Sequence, residues 1–183
     1  ECLSAESGVG YMGGQKAYEF LMPATSGDNT VVICDSCGYQ ATLEIAKGIK
    51  EINSDEKMKE LERVNTPDCV TMKRLSEHLG VDTSHLAKVL VYRVGTGFAM
   101  AVVRGDYEIS EEKLSNQIKS PVYGLATEED LESLELIPGY LSPIGRAEMP
   151  IVVDDAVAQS RNLVFGSNTK DIHLFNGNYD RDF

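Results

Sequence analysis

The sequence has no tryptophan, only three histidines and only four cysteines among its 183 residues. Hydrophobic residues still make up 42% of the chain, and charged residues make up 25%. These proportions exclude a disordered or collagen-like chain. They are typical of a globular protein with one good core, or with a core and a smaller appendage.

Basic residues are scarce. Seventeen Lys and Arg stand against twenty-nine Asp and Glu, which gives a formal net charge of −12. A protein that holds a nucleic acid through many phosphate contacts needs the opposite balance. We therefore expect no broad nucleic-acid interface.

Long apolar runs are also missing. Runs such as Val89–Val91 and Pro150–Val153 are far shorter than the ~20 residues that a membrane-spanning helix needs. No basic and then apolar leader opens the chain. We expect a soluble chain without an export signal or a membrane partner. Because it starts at Glu1 without an initiator Met, it is expected to be a processed form or part of a longer protein.

Common catalytic motifs are absent, and one cysteine pair remains. The sequence contains no G-x-S-x-G, Walker loop, HExxH or nucleotide-binding GxGxxG. Cys34 and Cys37 form a CxxC, but no second CxxC or histidine pair completes a tetrahedral zinc site. The pair follows the strand-like Thr30–Ile33 instead of opening a helix, so we favour a structural turn with reduced thiols. A small CxxC metal module is the alternative.

The chain divides into three parts by composition. Residues 1–50 are Gly-rich and predict two strands, over 18–22 and 30–34, and a helix over 41–50. Residues 51–63 are almost entirely polar and predict a charged connector. From residue 64 the pattern is α/β. It predicts helices over 71–79, 110–119 and 127–135, a hairpin of strands 87–94 and 97–104, and strands near 150–153, 162–166 and 171–175.

Several polar residues of the third part have a structural explanation when each is taken alone. Lys88 heads an apolar strand, where a surface lysine is common, and His173 lies between Ile172 and Leu174 as a strand histidine would. Gly139-x-x-x-Pro143 is typical of a rigid turn. Asp154 could cap a short helix. No single one of these residues identifies a function.

Their order along the chain is more informative. It runs through Thr66-Pro67, Lys88, Arg104-Gly-Asp-Tyr-Glu-Ile-Ser110, Gly139-x-x-x-Pro143, Val-Val-Asp154, Phe165-Gly-Ser-Asn168 and His173. This series resembles the insertion (editing) domain of bacterial-type prolyl-tRNA synthetases and the wider family of YbaK-like deacylases. Upstream, Ala5-Glu-Ser-Gly8 and Ile33-Cys-Asp-Ser-Cys-Gly-Tyr39 resemble the stretch that precedes the insertion in those synthetases.

The resemblance implies a fold and a division into domains. The fold is α/β (α+β), with a mixed, mainly antiparallel, barrel-like sheet core surrounded by helices. Residues 1–50 would be a remnant of the class II aminoacylation core, 51–63 a charged connector and 64–183 the editing domain. The class II catalytic motifs have no counterpart here, so the chain should not activate proline.

The resemblance also implies an activity. The family hydrolyses the ester of mischarged alanyl-tRNA(Pro) in a pocket that excludes proline. Since no nucleophile is evident in the sequence, we favour direct attack by water over a covalent acyl-enzyme. The expected partners are the alanine-bearing acceptor end of tRNA(Pro) and the remainder of a cytoplasmic, homodimeric synthetase. Editing would need no cofactor, whereas ATP and Mg would serve the parent synthetase. A non-catalytic structural or tRNA-docking insertion is the alternative function.

The resemblance assigns roles to particular residues. Lys88 would hold a phosphate or ribose of the acceptor end, and Asp154 would meet the ammonium of the substrate. Backbone amides of the Gly139–Pro143 loop would stabilise negative charge that develops on the carbonyl oxygen. The expected catalytic residues are Lys88, Gly139, Pro143, Asp154 and His173. The expected substrate-binding residues are Thr66, Lys88, Ser142, Asp154, Gly166 and His173.

Overall fold

The computed structural model describes residues 2–10, 14–50, 52, 55–146 and 148–183. Short strands and short helices alternate along most of this length. The strands are β1 Leu3–Ser7, β2 Ala17–Leu21, β3 Val31–Ile33, β4 Gln40–Thr42, β5 Glu62–Asn65, β6 Ala87–Val94, β7 Gly97–Arg104, β8 Val122–Leu125, β9 Ile151–Val153, β10 Leu163–Gly166 and β11 Ile172–Gly177. The helices are α1 Met72–Leu79, α2 Glu111–Ile118, α3 Glu128–Ser133 and α4 Asp155–Gln159, with a 3₁₀ turn over Thr83–His85.

The N-terminal residues form a sheet of their own, with the order β2-β1-β4-β3. β1 pairs antiparallel with β2 and parallel with β4, and Ala5 and Ala41 are buried in this sheet. The predicted helix over 41–50 is wrong, because residues 40–42 are strand β4 and no helix follows up to residue 50. Pairing with β1 and β3 overrides the weak local helical preference of this segment.

The hairpin of β6 and β7 is the centre of the second sheet, whose order is β8-β6-β7-β9. The two strands pair from Ala87↔Arg104 to Val94↔Gly97 across a two-residue turn, as the sequence predicts. β9 lies parallel to β7 and so brings Asp154 to the end of the sheet. Both faces of the hairpin are covered, which explains its nearly continuous apolar sequence.

The hydrophobic core lies on one face of this hairpin, and a smaller cluster lies on the other. Odd-numbered residues of β6, such as Val89, contact α4 through Val157 and the third sheet through Phe165. On the opposite face, Tyr92 and Ala101 pack against Leu114 of α2.

The third sheet has the order β10-β11-β5, and all its pairs are antiparallel. An isolated bridge between Leu86 and Val164 joins its β10 edge to the start of β6. The described strands leave the sheets open and form no closed barrel, whereas the mixed α+β class is the one that the sequence predicts. Among the described helices, none is long and apolar enough to cross a bilayer.

Helix starts follow the capping signals in the sequence. The Ser110 side chain accepts a hydrogen bond from the Lys113 amide at the start of α2. Thr127 and Asp130 form a reciprocal capping box at the start of α3. These local contacts fix where the helices begin and therefore how the loops before them are placed.

Candidate active site

A buried threonine–histidine pair is the centre of the candidate site. Thr66 directly follows β5, and His173 lies in β11 opposite Val64 of β5 and Gly166 of β10. The Thr66 Oγ1 atom lies 2.6 Å from His173 Nδ1, and both side chains are buried, at 0% and 2% exposure. The Thr66 amide also donates to the Asp171 carbonyl at 2.8 Å, which anchors the pair to the turn before β11.

The imidazole is neutral at physiological pH. Burial lowers the pKa of His173 from 6.5 to about 4, since desolvation penalises the charged form. Its ring also contacts that of Tyr140, with 5.4 Å between centroids. Within the part of the chain that the structure describes, no group hydrogen-bonds to His173 Nε2. A neutral imidazole with one engaged and one available nitrogen can accept a hydrogen bond and so orient a water molecule, whereas its lowered pKa makes it a weak base.

The Gly139–Pro143 loop covers this pair. Gly139 has φ +83°, and a β-carbon there would lie 2.8 Å from Val70 Cβ, so both conformation and space require glycine. Ser142 and Pro143 are fully buried. Asn168 holds the loop by accepting from the Ser142 amide at 3.0 Å and donating to the Ser142 carbonyl at 3.0 Å.

Gly166 lies directly beneath the same loop. A β-carbon at Gly166 would be 2.3 Å from the carbonyl oxygens of Tyr140 and Leu141, which only glycine avoids. Among the described groups, none accepts a hydrogen bond from the Leu141 amide. The structure thus brings together most of the site residues that the sequence analysis names: Thr66, Gly139, Ser142, Pro143, Gly166 and His173.

Lys88 lies elsewhere, on the face of β6 that it shares with Leu90 and Tyr92. Its Nζ donates to the Tyr107 carbonyl at 2.8 Å and to Glu108 Oε1 at 2.7 Å. The side chain is only 17% exposed. It therefore lies against the turn that follows the hairpin and not against the threonine–histidine pair.

Asp154 also has partners of its own. It caps α4, with Oδ1 accepting from the Ala156 amide at 2.9 Å, as the capping interpretation of the sequence predicts. Its Oδ2 forms an ion pair with Lys50 of the N-terminal part. The hydrogen bonds and ion pairs of Asp154 thus connect it to α4 and to Lys50, not to Thr66 or His173.

Comparison with known proteins identifies the family. Residues 66–183, which include all of the site residues above, match the model described as the aminoacyl-tRNA editing domain. The chain belongs to the aminoacyl-tRNA editing domain family.

The curated relatives of this editing domain are longer proteins. The chain is 38% identical over 182 residues to a proline--tRNA ligase of Sulfurihydrogenibium sp., which covers 99% of this chain and 32% of that protein. It is 37% identical over 180 residues to the proline--tRNA ligase of Thermotoga maritima, covering 97% of this chain and 31% of that protein. The chain therefore spans about a third of the length of these relatives.

Solved structures share the fold of the editing domain. One is the hypothetical protein APE2540, with a TM-score of 0.58 and 19% identity, covering 63% of this chain and 79% of that chain. Another is a candidate trans-editing enzyme for prolyl tRNA synthetase, with a TM-score of 0.56 and 20% identity, covering 64% of this chain and 76% of that chain. At these identities the likeness concerns the fold.

Two residues that the sequence analysis did not single out, Tyr140 and Asp171, hold the editing-domain site together with Asn168, which it named only as part of the Phe165–Asn168 series. The Tyr140 hydroxyl donates to Asp171 Oδ1 at 2.8 Å. Burial, and to a smaller extent this hydrogen bond, raises the pKa of Tyr140 to about 12. Asp171 also accepts from the Asp68 amide, and Asn168 fixes the loop. A large aromatic inside a Gly-x-x-x-Pro turn is the one signal that could have indicated Tyr140. No signal in the sequence indicated Asp171.

The CxxC forms a turn between β3 and β4, as the sequence predicts. The Gly38 amide donates to the Cys34 carbonyl at 2.9 Å, and the Cys34 amide donates to the Tyr39 carbonyl at 2.8 Å. Hydrogen bonds from the Cys37 and Ser36 amides lower the pKa of the Cys34 thiol. Within the described ranges, no group of three or more His, Cys, Asp or Glu side chains is placed to hold a metal ion.

Proposed function

We propose that this chain hydrolyses the ester of alanyl-tRNA(Pro) as the editing domain of a cytoplasmic prolyl-tRNA synthetase. Its family and its synthetase relatives support the reaction class. The structural observation that carries the proposal is the neutral, buried His173, which Thr66 holds beneath a loop that packs tightly at Gly139 and against Gly166.

The reaction has a physical rationale. A synthetic site that admits proline cannot strongly reject the smaller alanine, since each missing methylene is worth only ~1–3 kcal/mol. A second site that is too small for the pyrrolidine ring selects in the opposite direction. Packing of the Gly139–Pro143 loop against Gly166 supports such a tight site, because neither element can yield without displacing backbone atoms.

Each residue of the site has a chemical role in the proposal. His173 Nε2 accepts a hydrogen bond from the attacking water and orients it, and the Leu141 amide donates to the oxyanion. Lys88 binds a phosphate or ribose of the acceptor end. Asp154 receives the ammonium of the substrate only after Lys50 has left it. Water attacks directly, so no acyl-enzyme forms and editing needs no cofactor.

The decisive experiment measures both deacylation reactions with the full chain. Alanine should be released from alanyl-tRNA(Pro) well above background, while prolyl-tRNA(Pro) stays intact. Lys88→Ala should slow alanine release about tenfold or more. The matched control is Lys73→Ala on the exposed face of α1, which should leave the rate of alanine release unchanged. Background rates for wild type and Lys88→Ala alike would refute the proposal.

A non-catalytic tRNA-docking insertion is the second candidate. The observation that favours it is burial, since Thr66, Ser142 and His173 are at most 2% exposed and Lys88 and Asp154 are engaged by protein groups. Filter binding that shows tRNA affinity without turnover would support this function over hydrolysis.

A further inference from the structure

A large cleft lies between the N-terminal part and the editing domain. Its volume is about 1180 Å³. One wall includes residues 6–9, 14–16, 45–48 and Lys50, and the other includes β9, parts of β7 and α2, and the residues around Asp154. None of the residues of the threonine–histidine site lines it. We call this space the lysine cleft because Lys47, Lys50 and Lys113 converge on it.

Two of these lysines, Lys50 and Lys113, make contacts from one wall to the other. Lys113 of α2 donates from Nζ to the Ala46 carbonyl, and the Ser110 hydroxyl donates to the Glu44 carbonyl at 2.8 Å. Lys50 pairs with Asp154, and its Nζ lies 5.3 Å from the centre of the Tyr107 ring. The segment from Glu44 to Lys50 is thereby fastened across α2 and the start of α4.

Two lysines of the lysine cleft have no carboxylate within ion-pair distance in the described part of the chain. Among the described side chains, no carboxylate forms an ion pair with Lys47 or Lys113. Most of the acidic groups on the walls are engaged, since Glu6 pairs with Lys16, Glu108 with Lys88 and Asp154 with Lys50. Of the remaining carboxylates, Asp155 is exposed, and Glu112 of α2 lies against Gly8 of the N-terminal wall.

The environment of Lys113 shows the same imbalance. Burial lowers the pKa of Lys113, Lys50 and Lys47 lower it further, and Asp154 acts in the opposite direction. Ammonium groups that are partly desolvated and close to each other are stabilised by an anion placed between them. In a chain of net charge −12 such a cluster is unusual and indicates a ligand of opposite charge.

We propose that the lysine cleft binds a phosphate group through Lys47, Lys50 and Lys113. On the basis of the proposed function, that phosphate belongs to the single-stranded acceptor end of the substrate tRNA. A lysine ammonium is a compact charge with three donors and binds phosphate as a point charge. This acidic chain would therefore contact RNA through a few lysines and not through a broad basic surface.

Salt-dependent RNA binding tests this proposal. Fluorescence anisotropy measures binding of the full chain to a 5′-labelled, unacylated RNA strand ending in CCA. Lys47→Gln combined with Lys113→Gln should weaken binding about tenfold at low salt. It should also make the slope of log K against log salt shallower by about 0.7, the value for one lost phosphate contact on a single strand. Glutamine keeps a donor for the Ala46 carbonyl, so the fold is retained.

Two matched variants complete the test. Lys57→Gln with Lys73→Gln removes the same charge from exposed positions outside the cleft and should leave affinity and slope almost unchanged. Lys47→Arg with Lys113→Arg keeps the charge and should retain binding. Equal losses for both glutamine pairs, or no loss for the cleft pair, would overturn the proposal.

Further arms separate the phosphate source and the proposed function. Inorganic phosphate and AMP, titrated calorimetrically, should bind much more weakly than the RNA strand. Tighter binding of either would overturn the assignment to the acceptor end. The RNA strand is unacylated, so this binding experiment does not depend on hydrolysis. Binding with the expected slope would support the lysine cleft even if the chain released no alanine from alanyl-tRNA(Pro). The absence of alanine release would count only against the proposed hydrolysis.

Discussion

At the scale of single residues, the threonine–histidine pair shows how burial decides chemistry. The sequence predicts His173 as a hydrogen-bonded strand histidine, and the 2.6 Å contact with Thr66 confirms this. Because the ring is buried, it stays neutral in the folded protein down to about pH 4. The same burial that could serve catalysis also makes folding sensitive to pH.

We expect the free energy of unfolding to fall as the pH drops from about 6.5 towards 4. In this window His173 takes up a proton in the unfolded chain and not in the folded one, so protons favour unfolding. The loss should reach about 2 kcal/mol at pH 5. Urea unfolding at pH 7.5 and pH 5.0 measures it.

His173→Gln is the control for this dependence. Glutamine does not titrate and can still hydrogen-bond to Thr66, so the difference in unfolding free energy between the two pH values should shrink by most of that amount. The same pH dependence in wild type and variant would show that other groups cause it.

At the scale of elements, local signals predict structure where they are strong. The β6–β7 hairpin has its predicted bounds, and α2 and α3 begin within one residue of their predicted starts, where Ser110 and Thr127 cap them. Residues 41–50 have no such cap, and pairing of β4 with β1 and β3 decides their conformation. β5 was missed because it lies partly inside a polar stretch and exists only through pairing with β11.

The contact between the Gly139–Pro143 loop and β10 leads to a prediction on stability. Gly166→Ala places a methyl group 2.3 Å from two backbone carbonyl oxygens, so the loop must shift. We expect a loss of about 1 to 3 kcal/mol in unfolding free energy, measured by urea denaturation. A parallel loss of alanine release would show that the loop position matters for the reaction.

Gly97→Ala is the matched control on another strand. No atom lies within 4 Å of a β-carbon built at Gly97, and its φ is not positive. Its unfolding free energy should stay the same or rise slightly. A Gly166→Ala variant as stable as Gly97→Ala would show that the loop yields easily, contrary to the packing described above.

At the scale of the whole molecule, the residues that pack into the editing domain begin before the start of the family match. The match begins at residue 66, but β5 pairs with β11 over Glu62–Asn65. Before it, the Asn162 side chain accepts from the Lys59 amide and donates to Glu56 and to the Lys57 carbonyl, each at 2.9 Å. We therefore propose that the editing domain needs residues from about 56 onward to fold fully.

Truncation tests this boundary. A chain of residues 56–183 should unfold cooperatively, whereas a chain of residues 66–183 lacks β5 and leaves the β11 edge unpaired. We expect a melting temperature at least about 5 °C lower for the shorter chain, measured by circular dichroism. Equal melting temperatures would place the boundary after β5.

Several features can be predicted from the amino-acid sequence alone: the composition class, the helix starts, the central hairpin and the series of residues that indicates the family. These features depend on local capping, alternation and order along the chain. Which site residues meet depends instead on the fold. Thr66 and His173 are 107 positions apart and lie together through the β5–β11 pairing, whereas Asp154 is paired with Lys50, 104 positions away. Such long-range partners are set by sheet topology, and no local pattern encodes it.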